Sequence, residues 1–115
     1  MAEDFHFTKD VRKLHERYER FHQAAPDLAQ KWWEFDRAVF EPGALDTKTK
    51  ELMAITAAHL TACPWCINFH TRRAKRAGAT EAEVAEAIYV AMALSAGGAY
   101  AHSNIAMEAY EGHRQ

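Results

Sequence analysis

The feature that most limits what this chain can become is where its helix breakers stand. Only three prolines and five glycines occur in 115 residues, and most fall between apolar-periodic segments rather than inside them. No stretch sustains the apolar/polar alternation a half-buried strand needs, whereas apolar residues recur at spacings of three and four. The pattern predicts an all-α fold of about five to six helices. At this length it is read as a single helical domain, 1–115, whose folding buries about two-thirds of the unfolded surface.

Thr8 is the expected N-cap of the first helix, with Asp10 in its first turn. Val11, Leu14, Tyr18 and Phe21 form its apolar stripe, and the charged residues from Arg12 to Arg20 read as a solvated face. Pro26 and Asp27 open a second helix. Its Leu28, Trp32, Phe35 and Val39, flanked by Trp33 and Phe40, make a wide aromatic face that suits a core or a subunit interface. Glu41-Pro42-Gly43 ends it. Asp46 is expected to cap a third helix, from about Thr47 to Leu60, along which Leu52, Ile55 and His59 recur. Glu51, in its first turns, reads on local grounds as a surface charge matched to the helix dipole. A fourth helix should begin at Pro64 and end by Gly78. Thr80 and Glu83 form a capping box for the fifth, whose Val84, Ala87, Ile88, Ala91, Met92 and Ser95 make a small-residue stripe. Gly97-Gly98 is expected to break or kink it. A last helix then runs from about Ala99 to Tyr110, with Gly112 and His113 in a frayed tail.

Composition excludes some functions. Hydrophobic residues make up 49% and charged residues 26%, as in an ordinary soluble domain, and the formal net charge of −2 argues against a nucleic-acid binder. No apolar run is expected to approach the ~20 residues that span a bilayer. The opening Met1-Ala2-Glu3-Asp4-Phe5-His6 shows no basic segment followed by an apolar one. A cytoplasmic protein without membrane or nucleic-acid partners is the expectation.

Both cysteines lie in Cys63-Pro64-Trp65-Cys66-Ile67-Asn68-Phe69-His70. A close pair in a reducing compartment points to catalysis, redox sensing or metal binding rather than a permanent staple. With Pro64 at the first helical position, Cys63 becomes the N-cap, where unpaired backbone N–H groups and the positive end of the dipole favour a thiolate. Cys66 lies one turn on and His70 one turn further, so all three share a helix face. Such a site supports two-electron thiol chemistry: one thiolate attacks a peroxide, the histidine moves protons, and the second cysteine traps the sulfenic acid as a disulfide. The helix terminus favours Cys63 as the attacking sulfur; the neighbouring histidine favours Cys66. Two other readings stand beside this one. A zinc site could use Cys63, Cys66 and His70, with His59, His102 or water as fourth ligand. The cysteines could also be buried packing residues. His6, His15, His22 and His113 read as surface or partly packed.

The arrangement resembles the alkylhydroperoxidase D-like branch of the carboxymuconolactone decarboxylase family. The resemblance rests on Glu51, Cys63, Cys66 and His70 at their spacing. Gly43-Ala44-Leu45-Asp46, Lys48-Thr49-Lys50-Glu51-Leu52, Ala77-Gly78-Ala79-Thr80, Glu83 and Gly97-Gly98 add to it, so that it covers roughly residues 43–98. It implies an all-helical homo-oligomer, often a trimer or hexamer, with the site near subunit contacts. It implies a hydroperoxide substrate, Cys66 as the attacking cysteine, Cys63 as the resolving one, and Glu51 and His70 in a proton relay. No metal or other cofactor is expected; the reductant would be a thiol or a lipoyl-type partner. The fold would have to return the start of the third helix to the cysteine motif. Two departures matter. Trp65 stands where the best-studied alkylhydroperoxidase D type has a proton-carrying histidine, and the chain holds one copy of the helical core rather than two. The decarboxylase branch lacks the cysteine pair, so lactone decarboxylation is not expected.

Overall fold

The computed structural model describes residues 11–112 and is built of five helices: α1 (Val11–Ala24), α2 (Pro26–Phe40), α3 (Thr47–Leu60), α4 (Pro64–Arg76) and α5 (Glu81–Glu111). The expected Thr8 cap, Asp10, and the tail from His113 lie outside the described residues. The chain divides into two compact units, Met1–Lys50 and Glu51–Gln115, with the boundary inside α3.

In the first unit α1 packs on α2. His22 stands edge-on to Trp33, with ring centroids 5.9 Å apart, and stacks with Tyr18 at 6.4 Å. Pro26 and Asp27 occupy the first turn of α2, as their residue types favour. The aromatic face of α2 is not a core: no α2 residue is buried, and Leu28, Trp32 and Phe35 each expose more than half of their surface. Lys50 closes the far end of α2 by donating from Nζ to the carbonyls of Val39 (2.8 Å) and Glu41 (2.6 Å), two of the oxygens a helix terminus leaves without partners. The Thr47 hydroxyl donates to the Phe40 carbonyl at 2.8 Å. Asp46 caps α3, its Oδ1 accepting from the Thr49 N–H at 2.8 Å.

In the second unit the buried residues are small or aliphatic apart from Glu51: Ile55 and Ala58 on α3, Ala74 on α4 and Ala91 on α5. Burial of Ile55 alone contributes about 1.5–3 kcal/mol. The Thr56 hydroxyl lies 2.8 Å from the Ala87 carbonyl and 3.3 Å from that of Leu52; its single proton is better placed for Ala87, which ties α3 to α5. Thr80 and Glu83 form the expected capping box at the start of α5.

Two tight reversals bracket α4. At its C-terminus Gly78 takes a left-handed φ of 97°, its N–H bonds to Lys75 O, and the Ala79 N–H bonds to Ala74 O. This is the Schellman arrangement for which glycine is suited. The end of α3 uses the same geometry without a glycine: Ala62 has φ 54°, and the Cys63 N–H reaches back to Ala58 O at 3.0 Å.

One expectation is corrected. Gly97-Gly98 neither breaks nor kinks the last helix into two elements, and α5 runs unbroken through both. A glycine pair lowers helix propensity by about 1 kcal/mol per residue, but the good helix formers around it outweigh that. As one element, α5 has no charged residue between Glu86 and Glu108. Its 31 residues are long and apolar enough, by length and composition, to cross a membrane. The expectation that no apolar run approaches that length is corrected with it: residues 87–107 hold no Asp, Glu, Lys or Arg.

Two stability outcomes follow. The Thr49 hydroxyl and backbone N–H hold the Asp46 carboxyl below its usual value, so the ionised cap stabilises the fold fully above the unfolded value, about 3.9, and is lost as pH falls through the lowered one. Asp46→Ala therefore lowers the melting temperature at neutral pH, Asp46→Asn largely preserves it, and the wild-type advantage over Ala shrinks in melts run below pH ~4. Ala62→Gly relieves a left-handed alanine worth roughly 1–2 kcal/mol. Set against the extra freedom of unfolded glycine, about 0.4–1 kcal/mol, thermal denaturation should show a rise in Tm of a few degrees.

Candidate active site

The site is assembled from Glu51 in the first turns of α3, the turn after that helix, and α4. Cys63 is the N-cap of α4 with Pro64 in the first turn, as expected. Its Sγ accepts a hydrogen bond from the Cys66 N–H at 3.2 Å. Cys63 and Cys66 are joined in a disulfide with Cα atoms 5.3 Å apart, inside the usual range for such bonds. Both residues are half-buried. In this state neither sulfur is a thiolate ligand. Among the described residues, no group of three or more His, Cys, Asp or Glu side chains is placed to hold a metal.

His70 follows Cys66 by one turn on the same helix, so the two are surface neighbours. Its Nδ1 lies 2.7 Å from Oε1 of Glu51. Glu51 sits nine residues before the end of α3, roughly 13 Å along the helix at ~1.5 Å per residue. Only the reversal at Thr61-Ala62 can bring it back to α4. The local reading of Glu51 as a surface charge is overturned: its side chain is 0% exposed. An ionised carboxylate can only accept, so Nδ1 donates and the neutral ring carries its lone pair on Nε2.

Burying a carboxylate without compensation costs far more than one hydrogen bond returns. The second compensation comes from a residue that sequence reasoning missed. Arg73 Nε lies 3.0 Å from Glu51 Oε2. The contact is close enough for an ion pair, but its geometry is not that of a hydrogen bond, and Oε2 is buried without one. Arg73 is itself placed over the Phe69 ring, 5.2 Å from its centroid, and Phe69 stands edge-on to His70 at 5.2 Å. The available signal was spacing: Arg73 is three residues after His70 and so on the same helix face.

The remaining histidines do not join this cluster in any described contact. His59 is half-buried and donates from Nδ1 to the Ile55 carbonyl at 2.8 Å. It lines an apolar recess of about 540 Å³ with Ile88, Ala91, Met92, Ser95 and Ala96, none of which belongs to the cysteine motif. His102 is exposed on α5. Trp65, between the cysteines, exposes 37% of its surface.

Residues 26–109 match the family model of the carboxymuconolactone decarboxylase family. Among curated proteins, an uncharacterized protein of the cox locus of Paracoccus denitrificans is 45% identical over 85 residues, covering 74% of this chain and 77% of its own. An uncharacterized protein of Haemophilus influenzae is 41% identical over 85 residues, covering 74% and 75%. Among solved structures, a protein from Methanobacterium thermoautotrophicum superposes with a TM-score of 0.70 at 32% identity, covering 74% of this chain and 96% of its own. A carboxymuconolactone decarboxylase family protein from Legionella pneumophila gives 0.68 at 31% identity, covering 87% and 89%. A Thermotoga maritima member of that family, for which a part in the antioxidative response has been suggested, gives 0.63 at 33% identity, covering 73% and 71%. The helical architecture and the sequence pattern agree over most of the chain, which belongs to the carboxymuconolactone decarboxylase family.

Proposed function

We propose that the protein is a dithiol peroxidase that reduces an organic hydroperoxide through Cys63 and Cys66. The observation that carries this reading is the Cys63–Cys66 disulfide at the start of α4, one turn from a histidine that a buried glutamate holds by Nδ1. A disulfide alone would serve many roles. A disulfide beside an oriented proton acceptor suits a cycle in which thiols are deprotonated and leaving groups protonated.

In the cycle, the reduced Cys66 thiol gives its proton to Nε2 of His70. The thiolate attacks one oxygen of the hydroperoxide; the O–O bond breaks, and the departing alkoxide takes the proton from the imidazolium. Cys66 is left as a sulfenic acid. The Cys63 thiol attacks that sulfur, water leaves, and the disulfide forms. A dithiol reductant, a small thiol or a lipoyl-type partner, then exchanges with it and carries away the two electrons. Glu51 stabilises the imidazolium while it holds the proton. Cys66 is assigned the attack because it is His70's neighbour on the helix, and Cys63 resolves. Trp65 carries no proton, so any relay here runs through His70 and Glu51 alone. The relative of Thermotoga maritima linked to the antioxidative response is in keeping with this reading.

Fully reduced protein treated with a small excess of tert-butyl hydroperoxide should lose two hydrogens on the peptide holding both cysteines, faster than free cysteine reacts, as mass spectrometry reports. Cys63→Ser should leave a trappable sulfenic acid on Cys66, and Cys66→Ser should abolish peroxide consumption. The reverse pattern would move the attack to Cys63. Disulfide formation only by exchange with an oxidised thiol, with no response to peroxide, would leave a general thiol–disulfide oxidoreductase instead.

The assembly we propose is a homo-oligomer. Along α5 the large apolar residues Tyr89, Val90, Met92, Leu94, Tyr100, Ile105, Met107 and Tyr110 are all at least half exposed, and only Ala91 is buried. So many exposed large apolar side chains on one helix mark an interface, and further copies of this chain suit a surface that is apolar and almost without charge. Sedimentation over a range of concentrations should show a defined trimer or hexamer. A monomer throughout, or partition of the chain into lipid vesicles, would refute it.

A further inference from the structure

We infer that Arg73 is a positioning residue: its charge keeps Glu51 a carboxylate, and so fixes His70 with its proton on Nδ1 and its lone pair on Nε2. The inference rests on the proposed dithiol reaction for its rate consequence but not for its structural one. The bland reading of Arg73 is a cation that complements the C-terminal dipole of α4, where Lys75 and Arg76 also stand. Geometry separates it from them. Lys75, Arg76 and the adjacent Arg72 are exposed, whereas Arg73 is half-buried with Nε 3.0 Å from Glu51 Oε2.

Glu51 is the only charged residue buried among the described residues, and its two oxygens have different surroundings. Oε1 accepts from His70 Nδ1. Oε2 has no hydrogen bond, and what offsets its charge is the guanidinium beside it. Phe69 supports the guanidinium from its ring face, so the cation's position does not depend on Glu51 alone. Remove the cation, and a buried carboxylate with one uncompensated oxygen is better off taking a proton. A protonated Glu51 would carry its proton on Oε1, where Nδ1 is the acceptor within reach, because a hydroxyl at Oε2 would be a buried donor without a partner. It would donate to Nδ1, and the ring proton would move to Nε2. The ring would then present an N–H at the nitrogen that the reaction uses as a base.

The test uses full-length reduced protein labelled with ¹⁵N-histidine, at mildly alkaline pH where imidazole is neutral. Ring ¹⁵N spectra of the wild type should show His70 protonated at Nδ1. Arg73→Gln and Arg73→Met, the second keeping an apolar stem against Phe69, should move the ring proton to Nε2; either variant suffices. Arg73→Lys, which keeps the charge, should retain the wild-type tautomer. Thiol oxidation by tert-butyl hydroperoxide should slow by at least about 10-fold in the neutral variants, towards the ~10²–10⁴-fold that a positioned acid or base contributes. In Arg73→Lys the slowing should be smaller than in either neutral variant, because the charge is kept although the planar group over Phe69 is lost. An unchanged His70 tautomer in both Arg73→Gln and Arg73→Met overturns the inference, whatever the rates. A wild type that ignores hydroperoxide while the tautomer still shifts would retire the peroxidase reading and leave the role of Arg73 standing.

Discussion

The arrangement on α4 depends on a buried carboxylate. Glu51 has no contact with water, and a charge in that position is tolerated only where hydrogen bonds and opposite charge replace what solvent would give. Both replacements come from α4, through His70 and Arg73. The pairing therefore works as a register pin. Sliding α4 by one residue along α3 would separate the carboxylate from both partners and expose the penalty of its burial. The small residues Ala58 and Ala74 permit close packing of the unit, but apolar contacts tolerate sliding; the ion cluster does not. Removing one partner from a buried pair typically costs about 3–5 kcal/mol, a large share of a small domain's stability.

The cysteines follow from the same placement. The left-handed turn at Ala62 reverses the chain, Cys63 caps the helix it starts, and Pro64 supplies a fixed φ where no N–H is needed. Cys66 and His70 then follow by helical period alone. What local structure could not provide is a carboxylate for His70, and the chain supplies it from across the turn. A helix-borne dithiol and a proton acceptor are thus set by short-range rules, and the acceptor's tautomer by a long-range one.

That division explains what was legible in the sequence. Helix starts were readable because capping is a local matter: Pro26, Asp46, Pro64, and Thr80 with Glu83 all act where their residue types suggest. The role of Gly97-Gly98 was misread because a glycine pair is only a modest cost, and the alanines and leucine on either side carry the helix through. Glu51 illustrates the opposite limit. Its spacing to His70 belongs to no helical period, so nothing local separates it from a surface charge; the family resemblance, not periodicity, singled it out. Arg73 lay on the readable face of α4 but was absorbed into a basic helix end, since its partner is invisible until the turn is folded. The aromatic face of α2 read as core or interface. Its exposure removes the first of these, because period and hydrophobicity say that a face will be covered but not by which chain.

The Cys63 sulfur has a second consequence. The atom that accepts the Cys66 amide proton is an atom that changes oxidation state when the disulfide opens or closes. Backbone and redox chemistry meet at one point, so the cap cannot keep the same acceptor across the cycle: a thiolate draws that N–H strongly, a disulfide sulfur weakly. The amide of Cys66 is therefore an internal gauge of the oxidation state. Its resonance in a simple proton–nitrogen spectrum would follow turnover without a dye, a label on sulfur or a coupled enzyme.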